Sequence, residues 1–338
     1  MTQLAPHLSL GKRANYPEAG DFPKWPATWY LFGRSRDLST APVSKTILAR
    51  RLVAFRDSKN RVTVMDAHCS HLGADLGRGT ISGDTIRCPF HHWKYDSGGQ
   101  CVSIPNTSCI PDNAKLRVYP TVERHGYVFF FFGPEALFPL PFYADLDPNE
   151  FLASEPFQFH MDSPWVMLVG NGFDGQHFQS VHDRRLTSPP RVDCPEPYAR
   201  RMRFDAEIIG TSVFDRLLKR FVSKEVQVSI TSWGGPYVLV EGIFRRAHSR
   251  LLVASQPLDE SNTLSDVIVF ARKGHVPLAS QASLRVRRRF TQAFLQYDIE
   301  KLAGVRYQPA GLTEQDHELA AFFRWVAQLP TSEYEVSP

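Results

Sequence analysis

The chain has 338 residues, 43% of them hydrophobic, which is ordinary for a globular protein and long enough for two separately cored domains. Its 39 basic residues nearly balance 35 acidic ones, and a net charge of +4 is too even to point to nucleic acid as a partner. The most apolar run, Tyr127 to Phe132, falls far short of the roughly 20 residues that span a bilayer as a helix, and no N-terminal signal pattern is visible, so a soluble, cytoplasmic protein is expected.

Taken in chain order, short β segments are predicted at Trp29 to Phe32, Arg51 to Phe55, Val62 to Met65, Thr85 to Arg87, Leu116 to Tyr119 and Tyr127 to Phe132. They describe a small all-β domain. Within it stand Cys69-Ser-His71, sixteen intervening residues, and Cys88-Pro-Phe-His91. Two Cys-His pairs at that spacing describe a [2Fe-2S] centre in which two thiolates hold one iron and two imidazoles the other. Neutral imidazoles lower the negative charge and raise the potential above that of an all-cysteine ferredoxin. Zinc competes for such a set, although zinc fingers usually pair Cys with Cys and His with His. The arms fall in loops, where backbone N–H groups are free to bond the sulfurs. Cys101, Cys109 and Cys194 are left as an odd number without framework spacing, which fits a reducing compartment.

Residues 133 to 150 are rich in proline and lack a period, so the domain boundary is placed there, with domains expected over 25–135 and 150–330. The second half predicts a helix around 171 to 183. Strands follow at Arg203 to Ile209, Val226 to Trp233, Tyr237 to Arg245, Leu251 to Ser255 and Val267 to Arg272, and helices at 281 to 304 and 313 to 328 close the chain. This order predicts an α+β fold, an antiparallel sheet with helices packed on it. Neither a G-x-G-x-x-G pattern nor a P-loop is present, so direct binding of a nicotinamide or nucleotide is not expected. Arg285, Arg287, Arg288 and Arg289 form either a solvated helix face or a docking patch for an acidic electron-transfer partner.

The helix around 171 to 183 carries Asn171-Gly-Phe-Asp174-Gly-Gln-His177-Phe-Gln-Ser-Val-His182. Two histidines and a carboxylate this close invite the facial-triad reading, three ligands on one face of Fe(II). Asp174 and His177 are three apart and share a helical face, but His177 and His182 are five apart, about 140° around an ideal helix. Both can address one metal only if the helix is bent, bulged or ending near His182. On spacing alone, two unrelated polar histidines near a helix end, with an aspartate favoured by the helix dipole, are the more common reading.

The Cys-His pairs resemble those of Rieske iron-sulfur proteins, and because Ala74 and Phe90 occupy the positions of the extra disulfide typical of the respiratory-chain branch, the soluble branch is the closer likeness. Asp174-x2-His177-x4-His182 after such a domain resembles the catalytic subunits of Rieske non-heme iron oxygenases, over nearly the whole chain. The resemblance implies a [2Fe-2S] cluster on Cys69, His71, Cys88 and His91, and a mononuclear Fe(II) on His177, His182 and a carboxylate from a distant downstream helix. Asp298 lies on such a helix, with Glu300 as main rival; Asp259 and Asp266 fall among strands and Asp316 in the following helix. Asp174 is implied to act in catalysis as a bridge, hydrogen-bonding from an iron histidine to the partner subunit's His91, which implies a homotrimer. A ferredoxin or flavin reductase would supply electrons, NAD(P)H acting only through it, and O2 would be co-substrate for hydroxylation or oxidative demethylation of a hydrophobic, aromatic or steroid-like substrate. Tyr297-Asp298-Ile299, Arg306-Tyr307 and Phe322, Phe323 and Trp325 are similar to the steroid hydroxylase branch, whereas Leu302 and His92 depart from its usual tryptophan and glycine. Phe173, Phe178, Val181, Phe214, Phe244 and Phe294 are candidates for an apolar pocket lining. The alternative is a Rieske-type electron carrier without oxygenase activity, using the cluster alone.

Overall fold

The computed structural model describes residues 16–38 and 40–332. In the first half, Tyr127–Phe131 is buried at every position and forms the middle of a three-stranded antiparallel sheet, flanked by Trp29–Arg34 and Thr121–Arg124. A run apolar on both faces suits a strand with a core on each side: Phe129 and Phe131 face one core, Val128 and Phe130 the other. A second sheet joins Val43–Ile47, Arg50–Arg56, Val62–Asp66 and Val118–Tyr119. Between its last two strands the chain inserts a smaller sheet of Thr80–Ser82, Thr85–Arg87, Lys94–Tyr95 and Cys101–Ser103. These short pieces carry too few residues to show a period, and only Thr85–Arg87 among them was expected from sequence.

The proline-rich segment from 133 to 150 is a packed strap with little regular structure. Phe138, Leu140 and Tyr143 are buried against both the Tyr127–Phe131 sheet and the sheet of the second half. Trp29 donates its indole N–H to the Phe138 carbonyl at 2.9 Å, and the Tyr143 hydroxyl lies 2.9 Å from the Leu251 carbonyl and 3.1 Å from that of Val240. Those bonds satisfy buried donors that a hydrophobic strap would otherwise strand.

The second half is built on a nine-stranded antiparallel sheet, so the fold is α+β and mostly antiparallel. Its central run, Ala199–Ile208, Glu225–Trp233, Tyr237–Phe244, Ala247–Pro257 and Thr263–Arg272, pairs neighbour to neighbour in sequence order. Four short strands edge it: Phe151–Ala153, Phe157–Met161, Arg184–Leu186 and Arg191–Glu196. Five α-helices are described: α1 Trp165–Gly170, α2 Gly175–Ser180, α3 Val213–Phe221, α4 Pro277–Leu302 and α5 His317–Val326. Helix α4 begins at Pro277, earlier than expected, because proline supplies a helical φ where no N–H partner is needed. Helix α5 and α1 bury Phe322, Phe323, Trp165 and Val169 against one face of the sheet, and α4 covers its Thr263–Arg272 strand with Leu284. None of the described helices is long and apolar enough to cross a membrane.

Sequence periodicity predicts one helix over 171 to 183, and the structure breaks it. After α1 come a 3-10 turn at Asn171–Phe173, an extended Asp174 with φ −97° and ψ 103°, and then α2. Asp174 is the N-cap of α2: its Oδ1 accepts the backbone N–H of Gln176 at 2.9 Å and of His177 at 3.2 Å. It therefore does not share a helical face with His177, and α2 ends at Ser180, which leaves His182 in the following turn.

Candidate metal centres and cavity

The first Cys-His arm lies in the loop that follows the Val62–Asp66 strand, closed by a bridge between His68 and Asp75, and the second is the turn between Thr85–Arg87 and Lys94–Tyr95 of the inserted sheet. The backbone N–H of Cys69 bonds the Ala74 carbonyl at 2.9 Å, and that of Cys88 bonds Trp93 at 2.8 Å, so each arm is a closed loop. Asp75 secures the first: its carboxylate accepts from Arg51 Nε at 3.0 Å and Nη2 at 2.8 Å, from Ser44 Oγ at 3.0 Å and from the Gly77 N–H at 2.8 Å. Gly99 closes the hairpin after the second at φ +78°, where a Cβ would stand 2.3 Å from the Leu116 carbonyl oxygen.

Cys69 and Cys88 are buried in one apolar cluster with Val53, Leu76, Ile86 and Tyr95, whereas His71 is exposed and His91 partly so. The imidazoles sit 4.6 Å apart between ring centroids, and His71 stacks on Trp93 at 4.6 Å. Two thiols inward and two imidazoles outward are the donor set of a mixed-ligand [2Fe-2S] centre, and they fit it. Burial pushes the Cys88 thiol up, against the backbone N–H groups of Phe90 and His91, which favour its thiolate. Tyr95 is a residue of the candidate cluster site that sequence reasoning missed. Its hydroxyl lies 3.1 Å from Cys69 Sγ and 2.9 Å from Ser70 Oγ, and a two-residue strand leaves no periodic signal for it. His92 departs from the glycine of its likeness, and its φ of +62° explains why glycine would suit the position.

In the second half, His177, His182 and Asp298 offer ligand atoms that all lie within 4.8 Å of one another. His177 Nε2 is 3.0 Å from His182 Nε2 and 3.1 Å from Asp298 Oδ1, and His182 Nε2 is 2.9 Å from the same oxygen. Burial works to raise the Asp298 carboxyl, but the hydrogen bonds and charge of both histidines outweigh it and hold the group below its ordinary range. Two imidazoles and an ionised carboxylate converging on one point are the donor set of a facial triad and fit a divalent iron. The helix break makes the convergence feasible: α2 presents His177, and the turn after it swings His182 back. Asn171 Nδ2 stands 3.1 Å from His177 Nε2, and Phe294 stacks on His182 with centroids 4.5 Å apart and planes 13° from parallel.

The other carboxylates lie elsewhere. Glu300 is exposed, 3.4 Å from Gln296, and Asp316 accepts from Gln176 at 2.8 Å. Asp259 orders the turn before Asn262, and Asp266 sits in a strand, where burial raises its carboxyl. Of the arginine run, Arg285 and Arg289 are exposed, whereas Arg288 donates to the Glu155 carbonyl at 2.8 Å and covers the Phe157 ring.

A cavity of about 590 Å³ opens beside the triad between α4 and the sheet. Phe178, Phe204, Val240, Phe244, Leu251 and Phe294 give it an apolar wall, and His182 and Asp298 reach it. Of the residues expected to line it, Phe173 and Val181 do not; Phe173 stacks on Phe322 in the core, and the Phe214 side chain lies outside the described residues.

Residues 28–120 match the Rieske [2Fe-2S] domain family. The chain therefore carries a Rieske [2Fe-2S] domain over that stretch. It is 41% identical over 166 residues to aminopyrrolnitrin oxygenase PrnD of Pseudomonas fluorescens, a match covering 46% of each chain. It is 40% identical over 108 residues to the oxygenase component of 3-ketosteroid-9-alpha-monooxygenase of Rhodococcus rhodochrous, covering 32% of this chain and 28% of that protein. These matches span less than half the length of the curated relatives. Among solved structures, dicamba monooxygenase bound to dicamba superposes with a TM-score of 0.67 at 21% identity, covering 89% of this chain and 96% of that one. The chain therefore shares the fold of dicamba monooxygenase over both halves.

Proposed function

We propose that the protein is the terminal oxygenase component of a Rieske non-heme iron system, with its Rieske domain over 25–135 and its catalytic domain over 150–330. The observation that carries this reading is the convergence of His177, His182 and Asp298 beside an apolar cavity, in a chain that also has a Rieske domain. An electron carrier has no use for a second donor set of this kind.

Cys69, His71, Cys88 and His91 would hold the [2Fe-2S] cluster, and His177, His182 and Asp298 a mononuclear Fe(II), which supplies O2 activation when bound. The residues of the chain do the rest. Three protein ligands on one face leave positions free for O2 and substrate. The apolar wall excludes water and orients a hydrophobic, aromatic or steroid-like molecule for hydroxylation or oxidative demethylation. Exposed His71 is the face a ferredoxin or flavin reductase would approach, with NAD(P)H oxidised only on that partner.

Asp174 is the proposed bridge between subunits in a homotrimer. Only its Oδ1 is engaged in capping α2, so Oδ2 is the oxygen available to accept from the partner subunit's His91. Asp174→Asn keeps the cap acceptor, and is expected to retain both metals while losing coupled turnover; normal turnover would sink the bridge. Metal analysis with electron paramagnetic resonance tests the whole reading: about three irons per chain and a Rieske signal on reduction are expected, and about two irons would leave a carrier.

A further inference from the structure

The cavity runs along one stripe of α4, formed by Arg287, Thr291, Phe294, Leu295 and Asp298 at helical spacing. Asp298 marks the metal end. Thr291 is seven residues earlier and Arg287 eleven, which places them about 10 Å and about 16 Å away along the helix axis at 1.5 Å per residue.

The chemistry changes along that stripe. Near Asp298 the wall is aromatic and aliphatic, whereas the remote end holds polar groups that are only partly satisfied. Arg287 is half-buried; it donates to the His248 carbonyl and, at 3.2 Å, to Ser283 Oγ. No ion pair among the described residues includes it, and its Nη2 has no hydrogen-bond partner there. The comparison with other arginines is direct: Arg184, also on the cavity, pairs with Asp215 at 2.9 Å, and Arg250, behind the wall, pairs with Glu241 at 2.6 Å. Burial and the nearby positive charge of Arg250 both work against the Arg287 cation, and no carboxylate among the described residues pairs with it. Thr291 is buried, Ser249 faces the cavity from the strand opposite, and neither hydroxyl has a partner among the described residues. A guanidinium edge and two hydroxyls are all able to donate, which suits a ligand group that only accepts and carries negative charge.

We propose that Arg287, Thr291 and Ser249 form a carboxylate-recognition subsite, and that the substrate is an elongated apolar molecule with an acid group at the end remote from the carbon presented to the iron. This inference rests on the oxygenase reading for its orientation. The apolar body occupies the wall between Phe294 and Leu251, the carboxylate takes the Arg287 edge, and the acid sets which carbon lies beside His182 and Asp298.

The test uses the full chain loaded with cluster and iron, titrated without O2 by cholanic acid, a rigid C24 steroid acid, and by its methyl ester. The ester has the same body without the charge. Wild type is expected to bind the acid at least about tenfold more tightly, the worth of a charge-assisted pair. Arg287→Gln should erase that preference by weakening the acid, with the ester changed less than about threefold. Should that variant fold poorly, Thr291→Val with Ser249→Ala should weaken the acid alone by about threefold or more. Equal binding of acid and ester by wild type, a preference that survives Arg287→Gln, or no binding of either probe overturns the subsite. Iron counted on the same samples separates the two readings: three irons with no acid preference removes only the subsite, whereas two irons removes the oxygenase.

Discussion

The two halves of this protein assemble their candidate metal ligands by opposite means. The cluster arms are two closed turns, each holding its Cys and His within four residues, fixed by local bonds such as Cys69 N–H to Ala74 and by the Asp75 carboxylate. The triad of the second half instead joins a helix, the turn after it and a helix 121 residues beyond His177. A local site survives as long as its loop does, whereas a distributed site exists only when the sheet and α4 are packed. The cluster half should therefore hold metal under conditions in which the triad fails.

Removing ligands one site at a time tests that separation most strongly. Asp298→Ala is expected to lower iron from about three to about two per chain and to reduce product formation to background, with the Rieske spectrum unchanged. Cys88→Ser should do the reverse, abolishing the spectrum while one iron remains. Loss of both centres in either variant would show that the halves are not independent.

Asp75 sharpens the comparison at the level of loop stability. Burial opposes its charge, but Arg51, the Gly77 N–H and Ser44 outweigh burial and hold the carboxyl below its ordinary 3.8. A depressed folded pKa contributes stability that is full above the unfolded value and lost as pH falls through the folded one. Asp75→Asn should thus cost about 1–3 kcal/mol at neutral pH, read by denaturant unfolding, and flatten the acid limb of the stability profile.

Smaller effects are expected from groups that adjust a site without building it. Tyr95→Phe removes an O–H from beside Cys69 Sγ and should lower the cluster potential by about 40 mV, the equivalent of about 1 kcal/mol for a one-electron couple. An unchanged midpoint in protein-film voltammetry would assign that hydroxyl to Ser70 instead. His92→Gly relieves a left-handed residue and should raise stability by about 1 kcal/mol at most, less whatever its 3.3 Å contact with the Cys88 carbonyl contributes.

How much of this was legible in the sequence follows from the same contrast. The Cys-His arms could be read because both ligands of each arm are neighbours in the chain. His177 and His182 were visible as a pair, but a straight helix places them about 140° apart, and only the break at Asp174 and the helix end at Ser180 reconcile them. That break is a capping event, in which one aspartate oxygen satisfies two N–H groups. Helix α3 and the edge strands escaped notice because short elements carry little periodic signal.

The sequence by itself determined the ligand types, the order of an all-β half before an α+β half, and a helix bearing Asp298. Tertiary structure alone decided that Asp298 meets the histidines while Glu300, two residues on, faces solvent, because helical rotation turns adjacent carboxylates to different sides. It also decided that Arg287 lines a cavity without a carboxylate beside it. A sequence places an arginine on a helix face, but only packing fixes which charges reach that face.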